Sequence, residues 1–197
     1  MTKQDQIDAF IEQAKARLDE MGAAAKEFEA RLNTVEANIR PEAEQALAKV
    51  KAWVTEGENK LKDLRDKGEA SLAEAKTFFE STWTEFETEV AKWVEIANSQ
   101  QATFEAQAKA QKDSWQGMVD KFVKQAAEAQ KTGKASAEAE MERLKAEAKQ
   151  AEAQLEALKS ASETSWGIMS KGLEKSRTSF EKAAHKAWAE FNKNMKG

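Results

Sequence analysis

At 197 residues the chain is long enough for one or two globular domains, but Leu, Ile, Val and Phe together number only 31, too few for a thick core. So thin an apolar share often accompanies disorder, yet a net charge of only −4 and six tryptophans argue against it. Zero cysteines exclude a disulfide framework and thiolate metal sites. An acidic pI with no basic run excludes nucleic-acid binding as the main role, since phosphate contacts need clustered cations.

Abundant Ala, Glu, Lys and Gln, with one Pro and eight Gly, favour helix at nearly every position, and a helix can bury a stripe with few large residues. The expected fold class is therefore all-α: an elongated antiparallel long-helix bundle or coiled coil with mixed seven- and eleven-residue periodicity. The first helix spans about 2–39 within an N-terminal unit 1–40. Here Ile7, Ile11, Ala14, Leu18, Met21, Ala25, Phe28, Leu32, Val35 and Ile39 step by four and three, a heptad seam. Arg40-Pro41 stops it, and Pro41 with Glu42 and Glu44 makes a good new helix start, so a hinge or tight turn belongs there.

The second helix is expected to run over 41–131, on the order of 130 Å if unbroken at ~1.5 Å per residue. Its period changes: Leu61, Leu72, Trp83 and Val94 lie eleven apart, as do Gly68, Phe79 and Val90. Such rows run nearly straight or coil slightly to the right. Asn98-Ser99-Gln100-Gln101 is either a cap and turn or a polar stretch of a continuous helix. The row Trp93, Phe104, Trp115 crosses it and favours continuity. Lys131 to Ser136 is a better turn, with Gly133 closing one helix and Ser136 capping the next. The third helix, about 136–195 in a C-terminal unit 136–197, returns to the eleven-residue period with Leu155, Trp166, Arg177 and Trp188 in one row. A second row holds Leu158, Met169, Phe180 and Phe191, and a third includes Leu173. Periodicity leaves open whether the seams close within one chain or between chains.

Five tryptophans carry a large apolar neighbour three residues on: Trp83 with Phe86, Trp93 with Ile96, Trp115 with Met118, Trp166 with Met169, Trp188 with Phe191. Such a pair shares one helical face and places the indole in a seam. The expected helix–helix interface is thus Ile7, Ile11, Leu18, Phe28, Leu32, Ile39, Leu61, Leu72, Trp83, Phe86, Val90, Trp93, Trp115, Met118, Phe122, Leu155, Leu158, Trp166, Met169, Leu173, Phe180, Trp188 and Phe191. The run Ser165-Trp166-Gly167-Ile168-Met169-Ser170-Lys171-Gly172-Leu173-Glu174-Lys175-Ser176 resembles the Trp-x-x-Φ-x-Lys-x-Gly-Φ-Glu-Lys-Ala repeat of small bacterial coiled-coil proteins. That family usually repeats Trp eleven residues on, where this chain has Arg177, and the resemblance implies no particular function. More loosely, the eleven-residue rows are similar to apolipoprotein-type helices and to phasins, the coats of bacterial polyester granules.

No catalytic, cofactor or metal site is expected. His185, the only histidine, shares a face with Glu181, which reads as a solvated ion pair, and there is no Gly-rich phosphate loop. A narrow seam also offers no pocket in which to desolvate a carboxylate. The expected function is structural, through helix–helix self-association in a homo-oligomer. The alternative is an amphipathic coat on a lipid or polymer-granule surface. The N-terminus shows no signal sequence and no apolar run suffices for a membrane span, so the expected location is the cytoplasm. Residues 1–97 carry −7 and 98–197 carry +3, so the halves should attract. The acidic segment 78–97 is expected to lie antiparallel beside the basic segment 171–197.

Overall fold

The computed structural model describes residues 3–131, 138–160 and 165–194. Six helices follow in order: α1 (Lys3–Arg31), α2 (Arg40–Lys67), α3 (Glu69–Ala97), α4 (Gln100–Lys131), α5 (Glu138–Ser160) and α6 (Trp166–Asn194). Among the described residues there is no strand, and the helices pack on one another as an all-α bundle.

The first helix is shorter than its heptad row suggests. It stops at Arg31, where the Thr34 hydroxyl donates to the Arg31 carbonyl at 2.7 Å and Val35 turns extended at φ −74°, ψ 136°. A single 3-10 turn, Leu32–Thr34, links it to the loop before α2. Val35 is nevertheless buried and Leu32 and Ile39 are half-buried, because the loop folds back over the same core. The α2 start matches expectation, with Pro41 in its first turn and Glu42 beside the positive end of the helix dipole.

The continuous helix expected over 41–131 is instead three helices. Gly68 sits at φ +59°, a conformation that glycine tolerates and other residues resist, and its N–H closes α2 on the Leu64 carbonyl. Asn98, at φ 46°, is the one non-glycine residue of positive φ among those described. Its N–H returns to Val94, and Ser99 accepts the first backbone bond of α4 from Thr103 at 2.9 Å. Continuity across 98–101 is therefore corrected. Among the described residues the longest helix has 32, about 48 Å at the usual rise, not ~130 Å. The expected third helix also divides, into α5 and α6, with Ser165 accepting the first bonds of α6 from Ile168 and Met169. The expected turn at Gly133 and Ser136 lies outside the described residues.

These turns produce two helix triplets. In the first, α1 and α2 are antiparallel (Lys51 to Glu29, 2.8 Å), as are α2 and α3 (Lys49 to Glu89, 2.9 Å). In the second, Lys112 meets Glu156 at 3.0 Å across antiparallel α4 and α5, and α6 returns along both. Each triplet has its own apolar core, one built from α1–α3 and the other from α4–α6 plus Ala16. Trp166, at the start of α6, packs against both. The lobes meet chiefly where α1 lies against α4.

Candidate functional site: the seam between the two helix triplets

The expected interface residues fall into the two cores. Ile7, Ile11, Leu18, Phe28, Leu61, Trp83, Phe86, Val90 and Trp93 are buried in the first, with Leu32, Ile39 and Leu72 half-buried against it. Trp115, Met118, Phe122, Leu155, Met169, Leu173, Phe180 and Phe191 are buried in the second, with Leu158, Trp166 and Trp188 half-buried. Phe28 stacks on Trp93 at 4.3 Å between ring centres, and Trp115 stacks on Phe180 at 5.1 Å. All of these contacts close within a single chain. Some rows counted as continuous therefore change core: Trp93 belongs to the first, Phe104 and Trp115 to the second.

The seam between the cores is polar. Glu20 on α1 is fully buried, at 0% exposure, and Arg177 on α6 is 7% exposed. Arg177 grips Glu20 with two parallel bonds, Nε to Oε1 at 3.0 Å and Nη2 to Oε2 at 2.9 Å, a geometry that only guanidinium supplies. Gln111 on α4 donates to Glu20 Oε2 at 3.0 Å and to the Leu173 carbonyl at 3.2 Å. The Arg177 guanidinium also lies over the Trp83 indole, 4.2 Å from its centre, with Arg17 at 5.4 Å from the same ring. Trp83 itself donates to Glu87 at 2.8 Å. One node thus joins α1, α3, α4 and α6. Burial works against the Arg177 charge, but Glu20, Glu87 and Glu181 outweigh it and hold its pKa above the ordinary value.

No family model, curated protein or solved structure matches the chain. Two expectations about charge need correction. Glu181 is not a solvated partner of His185: it is largely buried and faces Arg17 at 3.8 Å, while His185 is exposed. Nor do 78–97 and 171–197 lie side by side along their length: they touch at one node, where Trp83 and Glu87 of α3 meet Arg177 of α6. Helix α3 packs on α2 and α1, and α6 on α5 and α4, because the apolar faces take precedence over screened surface charge. Glu89 pairs with Lys49 and Lys92 inside the first triplet, whereas Glu80 and Glu85 remain exposed.

Burial pushes the Glu181 carboxyl above the usual carboxylate range, with Arg17 and Arg177 opposing the rise and Glu20 adding to it. A raised pKa means the folded chain holds this proton more tightly than the unfolded chain. The resulting stabilisation is complete below the ordinary glutamate value and is lost as pH climbs through the folded value. Wild-type stability is therefore expected to fall relative to Glu181→Gln as pH rises through that window. Urea denaturation at closely spaced pH checks this, and parallel curves would contradict it.

On the other side of the seam an open groove of about 970 Å³ runs along α1 and α4, with Val54 and Glu58 of α2 on its border. Sequence reasoning expects no such cleft. Its small residues include Ala16, Gly22, Ala23, Ala110 and Gly117, and its edges carry both signs of charge, among them Glu12 with Lys121 at 2.5 Å. Among the described residues no cluster of three or more His, Asp or Glu can hold a metal ion. A Cβ at Gly22 or Gly117 meets nothing within 4 Å. Both glycines are helical, so Gly22→Ala and Gly117→Ala are each expected to raise stability by about 0.5–1 kcal/mol in thermal or urea unfolding. A loss would place an unrecognised contact at that position.

Proposed function

We propose that this chain is a non-catalytic helical scaffold that works through helix–helix association with further copies of itself, and that the α1–α4 groove receives a helix of the partner. The groove carries this reading. Its small residues let a second backbone approach closely, and its flanking lysines and carboxylates match a helix of equally mixed charge, which this chain's own exterior provides. Recognition on this reading uses close packing and charge, since the large apolar side chains are spent on the chain's own cores. Its place of work is the cytoplasm; no described helix is long and apolar enough to cross a membrane.

Sedimentation equilibrium on the wild type and on Gly22→Gln/Gly117→Gln tests it. Glutamine is a better helix former than glycine, a Cβ meets nothing at either position and both positions line the groove, so the substitutions narrow the groove without weakening the helices. A wild-type oligomer whose dissociation constant rises at least tenfold in the variant is expected. A wild type monomeric at 100 μM, or an oligomer indifferent to the substitutions, overturns it.

The second reading is a coat on lipid or a polymer granule. It is favoured by the amphipathic character of every helix, but Ile168, 54% exposed, is the one large hydrophobic residue exposed among those described. A coat would have to open the bundle to present more. Flotation with liposomes or granules, with loss of the fixed tertiary signal of the indoles, is the result that would favour it.

A further inference from the structure

The two helix triplets are alike in sequence at one constant spacing. Residues ninety-four apart coincide as Phe10 and Phe104, Ala14 and Ala108, and Phe28 and Phe122 in α1 and α4. The same spacing pairs Leu61 with Leu155 and Leu64 with Leu158 in α2 and α5, and Phe86 with Phe180 and Glu87 with Glu181 in α3 and α6. Seven of the nine buried positions of α3, from Ala75 to Trp93, fall on buried positions of α6 from Met169 to Ala187, while Ser71 and Val94 fall on exposed Ser165 and half-buried Trp188. A shared helical period does not explain this, because turns reset the helical phase between the triplets. Nor does burial explain identities on exposed positions: Lys15 and Lys109, Asp19 and Asp113, Glu80 and Glu174, Thr84 and Thr178, Lys92 and Lys186.

The packing repeats as well. Phe28 of α1 stacks on Trp93 of α3, and its equivalent Phe122 of α4 meets Trp188 of α6, with the indole displaced by one residue. Between the triplets α1 and α4 are antiparallel: Glu12 meets Lys121, Asp19 meets Ser114, and Glu20 meets Gln111. That pairing is centred within a residue of the equivalents Asp19 and Asp113. Trp83 and Arg177 are also equivalent positions, and they stack on each other. A position touches its own equivalent only close to a two-fold axis.

We infer that the chain is a tandem duplication of one three-helix unit, and that the α1–α4 seam with its Arg177 node is the surface by which one copy of that unit recognises another. The partner this surface fits is the opposite half of a second copy of this chain. The halves are joined only by Asn98 and Ser99, so the pairing made within one chain can equally be made between two. The groove borders this seam and shares Glu12, Asp19, Ser114 and Lys121 with it, but the inference rests on the contacts between the halves and not on a helix received in the groove.

Deleting Asn98 and Ser99 in the full chain tests it, with Gly22→Gln/Gly117→Gln also present so that the groove contributes nothing. Without the turn α4 cannot fold back on α1 of its own chain, and halves must pair between chains. Sedimentation equilibrium at 100 μM is expected to give twice the chain mass, with helicity by circular dichroism within a tenth of wild type. A helical monomer overturns the inference, and where the deletion costs helix the cleavable form of the chain decides. A second form of the chain, with a protease site inserted between Asn98 and Ser99, guards against a deletion that merely misfolds. After cleavage the halves are expected to co-migrate, with a melting midpoint that has become dependent on concentration and with exchange into a tagged copy. Halves that separate at 100 μM show that the seam recognises nothing, and the inference fails.

Discussion

Arg177→Met is expected to cost about 3–5 kcal/mol, because it leaves the Glu20 carboxylate buried without its counter-charge. For a chain of this size that corresponds to a fall of roughly 10 °C in melting midpoint. The same loss is not expected of every ion pair. Lys3 and Glu69 meet at 2.7 Å, but both are well exposed, so breaking their contact should cost below ~1 kcal/mol. Glu20→Met/Arg177→Met should recover most of what the single substitution loses, since apolar side chains of similar length often replace a buried pair at little cost. Urea denaturation followed by circular dichroism separates these cases. A loss for Arg177→Met no larger than that for Lys3→Met would mean that Glu20 reaches water when Arg177 is gone. Arg177→Lys should fall between, since ammonium keeps the charge but not the two parallel bonds or the flat face against Trp83.

The sequence carries a trace of this node, but only one side of it. Arg177 occupies a row with Leu155, Trp166 and Trp188, where an apolar residue belongs, and its departure from that row marks it as unusual. Glu20 gives no such signal, being one acidic residue among many on a helix whose heptad seam runs through Leu18 and Met21. Its burial arises because α1 serves two neighbours, with Leu18 and Met21 facing its own triplet and Ala16 the other. A pattern read along one helix finds the first face and misses the second. The all-α class and most of the core positions were legible for the opposite reason: periodicity depends only on local geometry. Topology was not. Gly68 fitted the row of Phe79 and Val90 as a small member, and Trp93, Phe104 and Trp115 kept their spacing across Asn98, so both turns were hidden inside an unbroken period. The identities ninety-four residues apart were a missed signal of a boundary near Asn98, because they set Lys3, where α1 starts, opposite Ala97, three residues before α4 starts.

Two separate cores make a second large effect specific to place. Trp93 is fully buried against Phe28 and Trp115 is 1% exposed against Phe180, so Trp93→Ala and Trp115→Ala are each expected to cost about 3–5 kcal/mol. Trp188, half-buried against Phe122 and Phe191, should cost less on truncation. The location of the damage is more informative than its size. Hydrogen exchange should show Trp93→Ala speeding the amides of α2 and α3 while those of α5 and α6 keep more of their protection, and Trp115→Ala doing the reverse. The amides of α1 and α4 should respond to both substitutions, since each of these helices packs in its own core and against the other across the seam. Uniform loss of protection in all six helices would show that the polar seam couples the triplets as tightly as an apolar core does. In that case each unit would depend on its neighbour for its fold, and recognition between units would be inseparable from folding itself.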